Sequence, residues 1–267
     1  MSAIPPLSLD PAWQAALLSR CNRAPLRPRQ PLLAGGLCIG SVEAALAQAM
    51  NLNPARWQDG PAWSLAGDVQ AALDELTPRL RSGGWAGAWR NERLAVKAPD
   101  GHAVGAIERG LVRALGIATE AVHLLGLAPD GRHWIQRRSR TKANDPGLLD
   151  TLMGGMVSRA DNLHGALERE TWEETGLRLE QLQGLRHGGQ VRFERPSDDA
   201  GHGSGYLIER IDWFVATVPE GVAPANQDGE VDEFLRMAAP ELAARLHADA
   251  FTLEAARLLV AAQAAPG

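Results

Sequence analysis

In the stretch GGMVSRADNLHGALERETWEETGL, Gly154 to Leu177, one arginine and four glutamates crowd seven residues, and a glycine follows shortly after. A helix from Leu163 to Thr175 would put Glu170, Glu173 and Glu174 at i, i+3 and i+4, so that three carboxylates share one face. Like charges at that spacing cost an isolated helix about a few tenths of a kcal/mol per pair. Arg169 precedes Glu173 by four residues and offsets part of that cost. A divalent cation would offset more, because Mg²⁺ and Mn²⁺ prefer hard oxygen ligands. Bound there, such an ion would bridge phosphate oxygens and acidify a water molecule. The ordinary alternative is a solvated acidic face. Leu163, Ala166 and Leu167 form a neighbouring stripe suited to packing on a sheet. Gly176 reads as the helix stop, with Leu177 anchoring the exit. Asp161, just ahead of the helix, reads as a cap for free backbone N–H groups.

The spacing is more specific than three acids. It resembles the box of the Nudix hydrolases, G-x5-E-x7-R-E-U-x-E-E-x-G-U. Gly155, Arg169, Glu170, Glu173, Glu174 and Gly176 match it, and Leu177 fills the last position. With each letter at about a fifteenth of residues, six matches arise by chance on the order of once in ten million starting points. This favours the metal reading over the solvated face. Thr171 stands where the pattern has an aliphatic residue. Asp161 stands where it has its first glutamate, which keeps the charge but shortens the reach by one methylene. In the family that residue supports the loop more than it binds the essential metal, so altered metal affinity or geometry is expected, not a dead site. The resemblance implies Glu170, Glu173 and Glu174 as ligands of Mg²⁺ or Mn²⁺, joined by the backbone carbonyl of Gly154. Arg169 would orient the glutamates. Glu230, in DGEV, stands where many Nudix enzymes place a later glutamate that binds a second metal or activates water; a surface acid on an edge strand is the equal alternative.

The likeness continues through Ala106–Leu127, Trp134–Gly155 and Asn226–Phe234. These segments look like the Nudix subfamily related to fungal thiamine pyrophosphokinase-associated proteins, whose members carry an extra N-terminal domain. That resemblance implies a pyrophosphohydrolase acting on thiamine diphosphate or an oxidised derivative, releasing a monophosphate and phosphate. Two other readings stay open: an isomerase of allylic (isopentenyl) diphosphates, and a hydrolase of a nucleotide-type diphosphate. The isomerases need a cysteine proton donor after the QRRSRTK strand, and Cys21 and Cys38 lie far upstream. A module that only binds its ligand usually loses box glutamates, and the essential three are kept here.

Other segments must position these residues. QRRSRTK supplies Arg137, Arg138, Arg140 and Lys142, and a basic cluster beside a metal site suits a diphosphate. Arg138 and Lys142 are the expected phosphate contacts. AGGLCIGS lacks the Gly-Lys-Ser/Thr ending of a phosphate loop and reads as a turn. His187 and His202 fall in a glycine-rich stretch that reads as an exposed hairpin connection.

Residues 1–118 read as an N-terminal α/β cap domain. Helices are expected at Ser41–Met50, capped by Ser41, at Asp68–Leu80, ended or kinked by Pro78, and at His102–Gly116, with a strand at WRNERLAVK. Residues 119–267 read as a Nudix α+β domain, an α/β/α sandwich on a mixed sheet. Its signals are a hairpin around Pro129-Asp130-Gly131, a short strand at LLDTLMGG, three further strands and two closing helices. The chain of 267 residues is 45% hydrophobic, 22% charged and carries a net charge of −5. No basic field favours nucleic acid, and no apolar run is long enough for a bilayer. Two cysteines without metal-type spacing and no secretory pattern suit a cytoplasmic protein. The partner expected is a small-molecule diphosphate, and a homodimer stays open.

Overall fold

The computed structural model describes residues 4–264. The chain opens with helix α1 (Pro11–Cys21), then strands β1 (Arg29–Ala34) and β2 (Leu37–Glu43), helix α2 (Ala44–Ala49), strands β3 (Asn53–Trp57) and β4 (Gly60–Leu65), and helix α3 (Val69–Ser82). Strands β5 (Arg93–Lys97) and β6 (Ala103–Glu108) form a hairpin, and a 3₁₀ turn follows at Arg109–Leu111. Next come β7 (Ala118–Leu127), β8 (His133–Arg138), β9 (Leu149–Asp150), β10 (Met153–Met156) and helix α4 (Leu163–Thr175). Strands β11 (Gln183–Ser197), β12 (Gly205–Thr217) and β13 (Val231–Met237) precede helices α5 (Ala239–His247) and α6 (Leu253–Ala264).

The second half is built on a seven-stranded mixed sheet in the order β11-β12-β7-β8-β13, with β10 paired to β7 and β9 to β8. The β12–β7 pair is parallel and the others antiparallel. Strand β7 shows how the layers arise. Ala121, Leu125 and Leu127 face a core shared with α1, α5 and α6, whereas Val122 and Leu124 face the core under α4. That alternation is the period of two that a strand imposes, and it gives the expected sandwich.

The first half holds a four-stranded sheet, β2-β1-β4-β3, beside the β5-β6 hairpin, with a core that includes Leu46, Leu73, Leu76, Leu80 and Leu115. Three local expectations need correction. Ser41 does not cap a helix: it lies in β2, its hydroxyl accepts from Arg29 Nε, and α2 starts after Glu43 without a side-chain cap. His102–Gly116 is not a helix but strand β6 and a 3₁₀ turn. Its Ala, Val and Ile residues satisfy both periods, and pairing with β5 decides between them. Helix α3 runs through Pro78, because buried Leu73, Leu76 and Leu80 hold both sides of the proline against the core. Asp68 caps that helix through Ala71 N–H at 2.9 Å.

The two halves are knitted together. Buried Arg29 donates to the carbonyls of Ser41, Ala114 and Ser204. The tip between β11 and β12, expected as an exposed connection, docks on the first half: the His202 ring lies 4.4 Å from that of Trp85. Helix α1 packs not on the first sheet but into the second, with Leu17 and Cys21 buried beside Leu258 and Leu259. Leu17→Ala should therefore destabilise the sandwich by about 2–5 kcal/mol in urea unfolding. A loss below about half a kcal/mol would show that α1 is only loosely attached.

Candidate active site

The acidic helix is positioned by its own ends and by one bare strand. Asn162, not Asp161, caps α4: its side-chain oxygen accepts from Gly165 N–H at 2.8 Å. Asp161 turns instead to Arg169, accepting from Nε at 3.0 Å and Nη2 at 2.7 Å, and from Ser158 Oγ at 3.0 Å. A carboxylate gains more from a guanidinium than from a helix N-terminus that a neighbouring amide already caps. Gly176 ends the helix in the left-handed conformation at φ 64°, donating to Trp172 O.

Arg169 organises the face. Its Nη1 donates to Glu170 Oε1 at 2.8 Å and Glu173 Oε2 at 2.9 Å, and its Nη2 reaches the Met156 carbonyl at 3.2 Å. Burial would weaken the charge on this guanidinium, but the carboxylates around it outweigh burial and hold it above its ordinary value. Glu170 lies flat against β10, where a Cβ on Gly155 would collide with its carboxyl group. Burial, reinforced by Glu174 and Glu173 and opposed by Arg169, pushes Glu170 up to about 7.

Glu174 does not face solvent as expected for a metal ligand. It is 1% exposed and accepts from Gly154 N–H and Gln136 Nε2, both at 3.0 Å, and from Lys142 Nζ at 3.4 Å. The helical repeat turns it toward β8 and β10. Burial pushes it up to about 7, against the pull of Lys142. Glu173 remains 41% exposed in its side chain.

Lys142 also pairs with Glu230, so it bridges that residue and Glu174. Burial alone would raise Glu230, but Lys142 more than offsets it and leaves the carboxyl below its ordinary value. Arg138 is held by Asp150 Oδ2 at 3.2 Å and the Asn144 carbonyl at 3.0 Å. Sequence reasoning missed Gln136, Asp150 and His123. His123 Nδ1 lies 2.9 Å from Thr151 Oγ1 and 3.7 Å from Asp150 Oδ1. For His123 the available signal was a lone polar residue inside an apolar run, AVHLLGL; Asp150 stands beside Thr151 in LLDTLM, and Gln136, in WIQRR, gave no such signal.

Most of these groups, though not Glu174 or Gln136, line a cleft of about 1010 Å³ whose walls come from both halves of the chain. Ala86, Arg109 and Arg113 contribute from the first, and Glu170, Glu173 and Lys142 from the second. A NUDIX domain model matches residues 118–258, more than half of the chain. The chain belongs to the Nudix family. An uncharacterized protein of Saccharomyces cerevisiae is 26% identical over 158 residues, which are 55% of this chain and 46% of that protein. The chloroplastic Nudix hydrolase 24 of Arabidopsis thaliana is 28% identical over 64% of this chain and 47% of its own length. The chloroplastic Nudix hydrolase 20 of the same plant is 31% identical over 48% of this chain and 34% of its own. The chain thus spans a third to a half of the length of these relatives. The crystal structure of DR0079 from Deinococcus radiodurans shares the fold at TM-score 0.51 and 22% identity, over 63% of this chain and 98% of that one. Among the described residues, no helix is long and apolar enough to cross a membrane.

The Nudix box is therefore a built object here. Among the described residues, no three His, Cys, Asp or Glu side chains stand grouped for an ion as they are, and Arg169 and Lys142 engage the glutamates. The donor set nonetheless suits a hard cation: carboxylates of Glu170, Glu173 and Glu174, the last of them buried and Glu170 half-buried, beside a strand whose glycine leaves room for Glu170.

The raised glutamates have a consequence for metal-free protein. A carboxyl raised from 4.5 to about 7 binds more protons folded than unfolded. The stability it contributes is present below about pH 4.5 and is lost as pH rises through about 7. In chelator, the melting temperature of the wild type should fall across this window relative to that of Glu170→Gln, measured by scanning fluorimetry. Parallel pH profiles would show that Glu170 is not perturbed.

Proposed function

We propose that the chain is a metal-dependent Nudix pyrophosphohydrolase that cleaves an organic diphosphate to a monophosphate and phosphate, consuming one water. The observation that carries this reading is the convergence of Glu170 and Glu173, ordered by Arg169, on a polar cleft large enough for such a ligand, with Glu174 buried beside them on the same helix. In it, Glu170, Glu173, Glu174 and the Gly154 carbonyl would hold Mg²⁺ or Mn²⁺, and an ion held there would neutralise phosphate charge and lower the pKa of a water. Lys142 and Arg138 contact phosphate oxygens. Glu230, kept ionised by Lys142, accepts a proton from the attacking water. Arg169 keeps the glutamates in register.

The organic group is best matched by thiamine diphosphate or an oxidised derivative, on the resemblance of Ala106–Leu127, Trp134–Gly155 and Asn226–Phe234. Residues 1–118 act as a cap that shapes the pocket for that group, a reading supported by the place of Ala86, Arg109 and Arg113 in the cleft wall. Isomerisation of an allylic diphosphate is disfavoured because neither cysteine lines the cleft.

The test is a screen of diphosphates with Mg²⁺ and Mn²⁺, products identified by mass. Thiamine diphosphate, its oxo form, dinucleotides and isopentenyl diphosphate belong in it. Glu173→Gln should lower turnover of the best substrate by about two orders of magnitude or more. Its half-exposed side chain predicts an unchanged fold by circular dichroism. Normal turnover in that variant would remove the metal cluster from the mechanism.

A further inference from the structure

Arg109 belongs to the first half of the chain, yet its side chain lines the cleft that holds the glutamates. Its backbone is firmly set. Arg109 N–H donates to the Glu92 carbonyl at 2.8 Å, and the Gly110 carbonyl accepts from Gly87 N–H at 2.8 Å. Leu111, next in the 3₁₀ turn, is fully buried. The guanidinium is tethered by one contact, Nη1 to Glu92 Oε2 at 2.7 Å. Its Nε and Nη2 make no hydrogen bond among the described residues, and neither is a buried orphan.

The other cations of the cleft are differently placed, and Lys142 and Arg138 reach a phosphate only by giving up a present partner. Arg169 uses all three nitrogens on Asp161, Glu170, Glu173 and Met156. Arg113 is closed off on Glu209 and Thr119. Arg138 and Arg195 have both terminal nitrogens engaged and Nε buried. Lys142 sits on Glu174 and Glu230. Arg90 lacks a side-chain ion pair among the described residues but is exposed. Arg109 thus combines a rigid base, one anchoring carboxylate and two free donors directed along one edge of a planar fork. Phosphate is the ligand that such an edge fits bidentately.

We propose that Arg109 is a phosphate-binding residue of the Nudix site, contributed by the first half of the chain. Glu92 also lines the cleft and holds Nη1, which leaves the Nε–Nη2 edge free for a ligand. Electrostatics agree with the placement. Burial would lower the charge on Arg109, but Glu92, and then Glu170 and Glu209, hold it above its ordinary value. Arg109 in turn helps keep Glu230 ionised. The first half is on this view part of the diphosphate site and not only a selector for the organic group. The inference rests on the diphosphate reading of the site.

The experiment uses the full chain and methylenediphosphonate, a diphosphate that water cannot cleave, with Mn²⁺ present, in titration calorimetry. Mn²⁺ alone is titrated in parallel. Arg109→Ala should weaken diphosphonate binding about ten- to a hundredfold, the range for hydrogen bonds to a charged group. Arg109→Lys keeps the pair with Glu92, and with it the local fold, but loses the fork, so it should still bind several-fold more weakly than wild type. Mn²⁺ binding without diphosphonate should be unchanged in Arg109→Lys. Wild-type affinity for diphosphonate in Arg109→Lys would overturn the assignment while leaving the diphosphate reading standing. Absence of diphosphonate binding by the wild type itself would overturn both.

Discussion

The site depends on one guanidinium. Arg169 ties Asp161, Glu170, Glu173 and the Met156 carbonyl to a single planar group. It thereby links the loop before α4, the helix itself and the end of β10. Without a cation at that position, three carboxylates on one helical face would repel, and Asp161 would keep only Ser158 of its own loop. Gly155 is the complementary requirement. Only a strand with no side chain at that point lets Glu170 lie against it. Conservative change is thus barred on both sides: a lysine cannot reach four acceptors, and an alanine cannot share the space.

Much of this was legible in the chain. The spacing of Arg169, Glu170, Glu173 and Glu174 was enough to place α4, its glycine stop and its family. The hairpin at Pro129-Asp130-Gly131 and the closing helices were equally clear, because period and turn chemistry agree there. What escaped was decided by contacts distant in sequence. No local pattern tells that Glu174 is buried and Glu173 is not; this follows from where β8 and β10 pass. The role of Asp161 was misassigned because its neighbour Asn162 is just as good a cap. The segment His102–Gly116 satisfies helix and strand alike, and only pairing with β5 settles it.

That last ambiguity had functional weight. As a helix, the segment would have spread its charged residues over an outer surface. As a strand ending in a 3₁₀ turn, it delivers Arg109 and Arg113 to the cleft wall. The boundary between the halves is likewise not where the chemistry divides. Arg113 pairs with Glu209 across it at 2.7 Å, and Arg29 holds carbonyls on both sides.

Helix α1 lies among the first residues of the chain but packs against α6 and β11, among the last. Arg20 meets Asp249, and Leu7 N–H meets the side chain of Gln263. On a ribosome the order of emergence runs against this arrangement. Leu17 and Cys21 emerge well before α6, which helps to cover them. Until α6 has been made, the buried side of α1 lacks part of its shelter, so this face of the sandwich closes late. The contact between α1 and α6 acts as a clasp, and loosening either helix loosens the other.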